Sequence, residues 1–153
     1  MEKFLTIKSF LVDHTRIDRG IYISRIDGDI TTYDIRFIKP NTPPYLDNAG
    51  MHTIEHLFAT YVRNTRFGDN IIYVGPMGCR TGFYLLVRDL NANQVIELII
   101  DTLKFIVDFK GKIPGASEKE CGNYLEHDLE KAQFYSRDLL SAVKNWKVEN
   151  LHY

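Results

Sequence analysis

The stretch GMHTIEHLFATYVRN, residues 50–64, combines a helical spacing of apolar side chains with two histidines and a glutamate. At about 100° per residue, His52, Glu55 and His56 fall on one side of a helix. The other side carries the apolar residues Ile54, Leu57, Phe58, Tyr61 and Val62. We therefore expect an amphipathic helix that packs its apolar side on a core and leaves both histidines facing elsewhere.

Two β-rich segments precede this helix. IYISRI and ITTYDIRFI flank Asp27-Gly28, and such a dipeptide between β-rich segments is a strong signal of a hairpin. Pro40, Pro43 and Pro44 end the second strand, because proline cannot donate a hydrogen bond to a β-ladder. The sequence thus predicts an antiparallel strand pair that leads by a loop into the histidine helix.

A second strand pair and a long helix are predicted beyond residue 64. IIYVG and GFYLLVR flank a sharp turn that runs from Pro76 to Cys79. Asn91 or Asn93 can then cap an amphipathic helix that continues to about Phe109.

The spacing of Ser117 and Glu120 is that of a capping box. It predicts a last helix over about residues 118–134, with Cys121 in its first turn. Gly122 weakens this start, and a helix that begins near Asn123 would leave Cys121 in the preceding loop. In both cases Cys121 lies beside a helix N-terminus.

This order of elements predicts an α+β fold with a mainly antiparallel β-sheet covered by helices on one face. The length of 153 residues predicts a single domain over residues 1–153. With 19 basic and 20 acidic residues the formal charge is −1, which favours neither nucleic acid nor an anionic membrane as partner. We expect a small-molecule partner and, without a signal-like or membrane-spanning apolar run, a location in the cytosol.

The segment His52-Thr53-Ile54-Glu55-His56 has the H-x-x-E-H arrangement. Histidines at i and i+4 point the same way from a helix and can bind one divalent metal ion. The glutamate beside them can move protons at a ligand that the metal activates. A solvated polar helix face would explain the same residues, so the metal hypothesis depends on a third ligand.

Cys121 is the leading third ligand, because a helix N-terminus favours the thiolate that metals bind. Glu126, His127 and Glu130 compete with it, and a free cysteine is more often a small buried side chain. The other cysteine, Cys79, lies on a turn that can present its side chain into a cleft, where it could carry protons.

Five blocks of sequence can now be considered together: SFLVDHT (Ser9–Thr15), YDIRFIKPN (Tyr33–Asn41), HTIEHLFA (His52–Ala59), GPMGCRTGFY (Gly75–Tyr84) and CGNYLEHDLEKA (Cys121–Ala132). In order and spacing they resemble the S-ribosylhomocysteine lyases of the LuxS family over nearly the whole chain. Two positions depart from that family: Tyr73 stands where an acidic residue near the substrate is usual, and Ile38 replaces a cysteine to which no role is assigned.

The resemblance implies roles for eight residues. His52, His56 and Cys121 bind the metal, Glu55 and Cys79 are the general acid/base groups, and Ser9, His14 and Arg36 bind substrate. The implied cofactor is one divalent metal per chain, with iron(II) native and zinc or cobalt as substitutes. The fold implied is that of the LuxS and pitrilysin-like metalloenzymes.

The implied activity is that of a carbon–sulfur lyase. The carbonyl migrates along the ribose of S-ribosylhomocysteine, and β-elimination releases homocysteine. The other product is 4,5-dihydroxy-2,3-pentanedione, the precursor of the quorum-sensing signal autoinducer-2. The same reaction serves methionine metabolism by recycling a methylation by-product.

The resemblance also implies a homodimer with its sites at the interface, in which Ser9 and His14 complete the partner chain's pocket. The histidine face argues the same way, because it points away from the apolar side of its own helix and needs a covering wall. In the competing explanation, the predicted helix over residues 118–134 covers the site within one chain.

The same residues are compatible with two alternative functions. An inverzincin-type metallopeptidase would use Glu55 as base and Glu130 as third ligand, but such enzymes are several times longer and the hypothesis leaves both cysteines without a role. A non-catalytic metal-binding domain predicts a closed site with a fourth protein ligand.

Overall fold

The computed structural model describes residues 4–153, so the first three residues of the domain expected over residues 1–153 lie outside it. The strands are β1 Gly20–Asp27, β2 Ile30–Arg36, β3 Ile71–Pro76 and β4 Gly82–Arg88, paired antiparallel in the order β1-β2-β4-β3. The helices are α1 Lys8–Leu11, α2 Asn48–Arg63, α3 Ala92–Asp108 and α4 Leu129–Val143, with 3₁₀ turns at Gly68–Asn70 and Val148–Asn150. The predicted α+β class with an antiparallel sheet is confirmed.

Alternation along the strands gives the sheet two different faces. Ile35 of β2 pairs with Ile21 of β1 and with Phe83 of β4, and all three side chains are fully buried. They form one core with the apolar sides of α2, α3 and α4. Asp34 and Arg36 alternate with Ile35 and therefore point to the opposite side, which we call the outer face. The helices that contribute to the core thus cover one face, as predicted.

The predicted β1–β2 turn and the predicted cap of the helix after β4 are confirmed, and Asp47 provides a further cap that was not predicted. The β1–β2 hairpin turns at Gly28, whose φ of 61° lies in the left-handed region that glycine adopts without strain. Asp47 caps α2 by accepting a hydrogen bond from the Ala49 N–H (3.2 Å), and Asn91 caps α3 by accepting one from the Gln94 N–H (2.9 Å). Within residues 4–153, none of the helices has the length and apolar content that a membrane crossing requires.

The last helix differs from its prediction. Ser117 and Glu120 do form a side-chain hydrogen bond (2.5 Å), but it closes a turn, and α4 begins only at Leu129. Asp128 is the N-cap and accepts from the Lys131 N–H (3.0 Å). The helix predicted over residues 118–134 is therefore wrong in its start, and Cys121 lies in an irregular segment rather than beside a helix N-terminus.

A close contact at Gly50 joins α2 to α4. A Cβ at this position would lie 2.9 Å from Lys131 Cβ and 2.9 Å from a ring carbon of Tyr135. The Tyr135 hydroxyl also accepts a hydrogen bond from the Asp47 N–H (3.0 Å). This contact holds the first two turns of α4 against the N-terminal turn of α2.

Candidate metal centre and proton carriers

Two histidines of α2 are oriented by backbone carbonyls of the irregular segment, residues 112–128. The Nδ1 of His52 donates to the Glu126 carbonyl (2.7 Å), and the Nδ1 of His56 donates to the Pro114 carbonyl (2.8 Å). A carbonyl oxygen only accepts, so both Nδ1 atoms carry the ring hydrogen and both Nε2 atoms keep a free lone pair. This is the orientation in which metal-binding imidazoles are held.

The sulfur of Cys121 lies between these two lone pairs. Its Sγ is 3.4 Å from Nε2 of His52 and 3.8 Å from Nε2 of His56. A tetrahedral ion with bonds of about 2.3 Å to sulfur and about 2.0 Å to nitrogen would hold those atoms roughly 3.5 Å apart. The donor spacing therefore fits one divalent ion without rearrangement. Two imidazoles and a thiolate suit zinc or iron, so the donors do not select between them.

His127, which the sequence analysis considered only as a rival to Cys121 for the third-ligand position, also belongs to this cluster. One ligand atom of each of His52, His56, Cys121 and His127 lies within 4.8 Å of the other three. The His127 ring stacks on that of His52, with centroids 4.0 Å apart and planes inclined by 22°. Burial, followed by the neighbouring histidines, lowers the pKa of His127 to about 4, so its ring is neutral near pH 7. Its Nε2 is buried without a hydrogen-bond partner in residues 4–153.

Glu55 directly precedes His56 in α2 and lies about one helical turn after His52. With His56, Pro114 and Glu120 it lines a cavity of about 590 Å³ beside the irregular segment. The side chain is half-buried, and its carboxylate has no hydrogen-bond or ion-pair partner in the part of the chain that the structure describes. Glu130, the third ligand of the peptidase hypothesis, is exposed and stands outside the metal-binding group. The donor set therefore contradicts that alternative.

Cys79 lies in a second, smaller cavity of about 180 Å³. His14, Arg36 and Thr81 line it as well. The Cys79 sulfur is exposed and lies 3.1 Å from the Thr81 hydroxyl oxygen, which accepts a hydrogen bond from Arg36 Nη1 (2.8 Å). Because the Thr81 oxygen already accepts from the guanidinium, its own hydrogen is available to the sulfur.

Arg36 is part of a buried ion pair on the outer face. Its Nη2 lies 2.6 Å from Asp34 Oδ2 and its Nε lies 3.1 Å from Oδ1, and the two side chains are 2% and 1% exposed. The Tyr153 hydroxyl donates to the same Oδ2 (2.7 Å). Burial, with the Asp34 charge, raises the pKa of Tyr153 well above its ordinary value, so the phenol remains a donor. Sequence reasoning found Arg36 but missed Asp34, Thr81 and Tyr153.

The two N-terminal candidates occupy different places. His14 donates from Nδ1 to the Val12 carbonyl (2.8 Å) and lines the Cys79 cavity. Ser9 lines a third cavity, of about 300 Å³, between the α1 segment and the outer face, where Tyr73 and Tyr84 are also found. Within one chain the structure therefore does not bring Ser9 and His14 into a common cavity.

Seven of the eight predicted residues separate into two groups, and Ser9 lies outside both. The metal half-site comprises His52, Glu55, His56 and Cys121, and the cysteine half-site comprises His14, Arg36 and Cys79, to which the structure adds Thr81. Of the described residues, none lines both the Glu55 cavity and the Cys79 cavity. One chain thus presents the expected chemistry on two separate surfaces.

Comparison with known proteins covers both half-sites. A family model described as S-ribosylhomocysteinase (LuxS) matches residues 7–150. The S-ribosylhomocysteine lyase of Phocaeicola vulgatus is 49% identical over 97% of this chain and 96% of its own length. Its counterpart in Borreliella burgdorferi strain ZS7 is 47% identical over 96% of this chain and 98% of its own. That of Clostridium acetobutylicum is 44% identical over 100% and 99%. The resemblance seen in the sequence blocks is thus confirmed, and the chain belongs to the LuxS family of S-ribosylhomocysteinases.

Proposed function

We propose that this chain is a carbon–sulfur lyase that cleaves the thioether of S-ribosylhomocysteine. The products are homocysteine and 4,5-dihydroxy-2,3-pentanedione, the precursor of autoinducer-2. The observation that carries the proposal is the convergence of His52 Nε2, His56 Nε2 and Cys121 Sγ, in a family member that keeps a second cysteine apart from them. A peptidase would not need either cysteine.

His52, His56 and Cys121 are the residues that would hold the cofactor. We propose one divalent ion per chain, iron(II) as the native metal and zinc or cobalt as substitutes. When bound, such an ion supplies Lewis acidity toward an oxygen of the sugar. The Glu126 and Pro114 carbonyls fix the ligand imidazoles, so little reorganisation accompanies loading.

Two groups of the chain can carry the protons of the reaction. Moving a carbonyl along the ribose requires hydrogens to leave carbon and oxygen and to return at neighbouring positions. We assign these transfers to two bases, Glu55 and Cys79. The Glu55 carboxylate has no hydrogen-bond partner among the described residues, and the Cys79 sulfur is hydrogen-bonded to the Thr81 hydroxyl. Once the carbonyl is at C3, removal of the C4 hydrogen expels the homocysteine thiolate from C5.

We further propose that a two-fold homodimer joins the half-sites, with the metal half-site of one chain facing the cysteine half-site of the other. Two observations support this: the half-sites line separate cavities in one chain, and the N-terminal segment exposes a run of large apolar side chains. Those side chains are Phe4, Leu5, Phe10 and Leu11, each at least 70% exposed. A second copy would cover this segment, and two-fold dimers are the commonest closed assembly. Ser9 and His14 would then complete the partner chain's pocket.

The remaining expectations follow from this function. We propose that residues 1–153 act as one domain in the cytosol on a small-molecule substrate, without nucleic acid as a partner. The near-balanced charge gives no reason for an anionic polymer to bind.

Metal-dependent thiol release tests the proposed function. The purified protein is stripped with a chelator under anaerobic conditions, reloaded with iron(II), cobalt or zinc, and mixed with S-ribosylhomocysteine. We expect thiol release that rises with bound metal up to one ion per chain and vanishes in the stripped protein. Metal-loaded Cys79→Ala is the matched control and should release thiol at least about 10²-fold more slowly. Full thiol release without metal, or peptide cleavage without thiol release, would overturn the proposal.

A further inference from the structure

A hydrogen-bond chain leads from the N-cap of α4 to the His127 ring. The Asp128 N–H donates to Thr53 Oγ1 (2.9 Å), and the same oxygen lies 2.9 Å from His127 Nδ1. A backbone N–H can only donate, so the Thr53 oxygen accepts the first bond and its own hydrogen is left for the second. Thr102 shows the alternative use of such a hydroxyl, because it donates to the Leu98 carbonyl of its own helix (2.6 Å).

Thr53 has no bond of that kind within residues 4–153, and its side chain is fully buried. A buried hydroxyl hydrogen needs an acceptor. The acceptor within reach is His127 Nδ1, which must then be unprotonated, and the single hydrogen of the neutral ring is on Nε2. His52 and His56 have the opposite tautomer, because their Nδ1 atoms donate to carbonyls.

The stacking of the rings gives an independent argument. An imidazole binds a metal in the plane of its ring, along the nitrogen lone pair. The His127 ring is stacked over the His52 ring with centroids 4.0 Å apart and an inclination of only 22°. In-plane lone pairs of the two rings would therefore lie in separate, nearly parallel planes and would not converge on one point. A ligand oxygen located on the His127 side of the site can still accept a hydrogen bond from His127 Nε2, because it need not lie in the plane of the His52 ring.

We propose that His127 is not a fourth metal ligand but a hydrogen-bond donor, from Nε2, to the oxygen of the water or sugar that occupies the site. The buried and unpartnered Nε2 is the donor that such an oxygen would satisfy. Thr53 is then a positioning residue, because it fixes the tautomer without contacting the ligand. This inference rests on the proposed function for the identity of the sugar, but not for the tautomer.

Nuclear magnetic resonance can read the tautomer directly. Long-range ¹H–¹⁵N correlations of the zinc-loaded protein, with ¹⁵N-labelled histidine, separate protonated from unprotonated ring nitrogens. We expect hydrogen on Nδ1 of His52 and His56, and on Nε2 of His127, with the His127 signals identified by their absence in His127→Gln. Hydrogen on His127 Nδ1, or zinc on its Nε2, would overturn the proposal whether or not the protein cleaves S-ribosylhomocysteine.

Two substitutions then separate donation from packing. His127→Leu removes the donor, whereas His127→Gln can still present an N–H. Each should bind one zinc per chain. We expect kcat for thiol release to fall about 10²-fold in His127→Leu, as for loss of one preorganised donor, and no more than about tenfold in His127→Gln. His152→Leu, at an exposed histidine, is the control and should keep the parent rate.

The other outcomes contradict the donor role. Loss of zinc from folded His127→Leu or His127→Gln would identify His127 as a ligand. Equal loss of kcat in both, with zinc retained, would assign it a packing role. A parent protein that binds zinc with the expected tautomers but releases no thiol would refute the proposed function and leave the His127 geometry standing.

Discussion

The metal half-site and the cysteine half-site differ in the source of the positive charge near their cysteine. Around Cys121, lone pairs of sulfur and nitrogen converge, and among the described residues no lysine or arginine donates a hydrogen bond to these atoms. Around Cys79, the positive charge is built into the chain, because Arg36 lies buried against Asp34 and reaches the cysteine through Thr81. The positive charge beside Cys121 would come from a bound metal ion, whereas the positive charge near Cys79 comes from the Arg36 side chain. Substitution of a metal ligand should therefore lower the metal content, whereas substitutions in the cysteine half-site should affect folding or proton transfer and leave the metal in place.

The largest effect is expected from removing a metal ligand. Cys121→Ala should lose the ion and reduce thiol release by more than about 10³-fold, since the ion supplies several kcal/mol of charge stabilisation. Metal analysis and a thiol assay on the same sample measure both quantities, with circular dichroism as the check on folding. If folded Cys121→Ala kept one ion per chain, Cys121 would not be a ligand and the contrast between the two cysteines would fail.

Removing a proton carrier should leave the ion in place. Cys79→Ala and Glu55→Gln are each expected to retain one metal per chain and to lose about 10²–10⁴-fold in kcat, the usual contribution of general acid/base groups. The same two assays decide the outcome. Thiol release near the parent rate in either variant would remove that residue from the mechanism. Loss of metal from Cys79→Ala would show that the two half-sites are not independent, and loss of metal from Glu55→Gln would show that Glu55 supports metal binding rather than proton transfer alone.

The buried ion pair of the cysteine half-site should matter for folding. Arg36→Met leaves the Asp34 carboxylate buried and unpaired, which should lower the free energy of unfolding by about 3–5 kcal/mol. Urea denaturation measures this change. The matched control is Arg25→Met, because Arg25 pairs with Asp27 at the same sequence spacing but in solvent, and little change is expected there. Equal effects of the two substitutions would contradict the buried character of the Arg36 pair.

The smallest effect concerns the C-terminal residue. Tyr153→Phe removes the hydrogen bond to Asp34 but keeps the ring stacked on Tyr22 at 5.2 Å. Because the side chain is partly exposed, we expect a loss of about 1 kcal/mol in urea denaturation. A loss as large as that of Arg36→Met would mean that Tyr153, rather than Arg36, is the main partner of the Asp34 charge.

Features of this structure that depend on local sequence patterns were predicted from the sequence alone. The spacing of His52, Glu55 and His56 depends only on helical periodicity, and the hairpin at Gly28 depends on the backbone freedom of one residue. These features were predicted correctly because no distant contact opposes them. The choice of Cys121 as the third ligand also agrees with its position, although the helix N-terminus invoked for it is absent there.

The errors and omissions have tertiary causes. Carbonyls of Pro114 and Glu126 accept hydrogen bonds from the histidines of α2, and this use of the backbone keeps the segment between them irregular. Ser117 and Glu120 do hydrogen-bond to each other, but through their side chains and within a turn, so their spacing did not mark a helix start. Tyr153 and Asp34 are 119 residues apart in sequence, and no local pattern indicates that they meet. His127 was considered as a rival ligand, but its tautomer depends on Thr53, 74 residues earlier.

The most direct test of the account is whether two defective chains can share one active site. Glu55→Gln and Cys79→Ala chains, carrying different affinity tags, are co-expressed and the mixed dimer is isolated. If the metal half-site of one chain meets the cysteine half-site of the other, one of the two pockets has both groups intact, and thiol release should reach about half the parent rate per dimer. Both single-variant dimers, loaded with the same metal, serve as controls near zero. A metal-loaded mixed dimer with no more activity than these controls would show that each pocket is built within one chain, and would contradict the account.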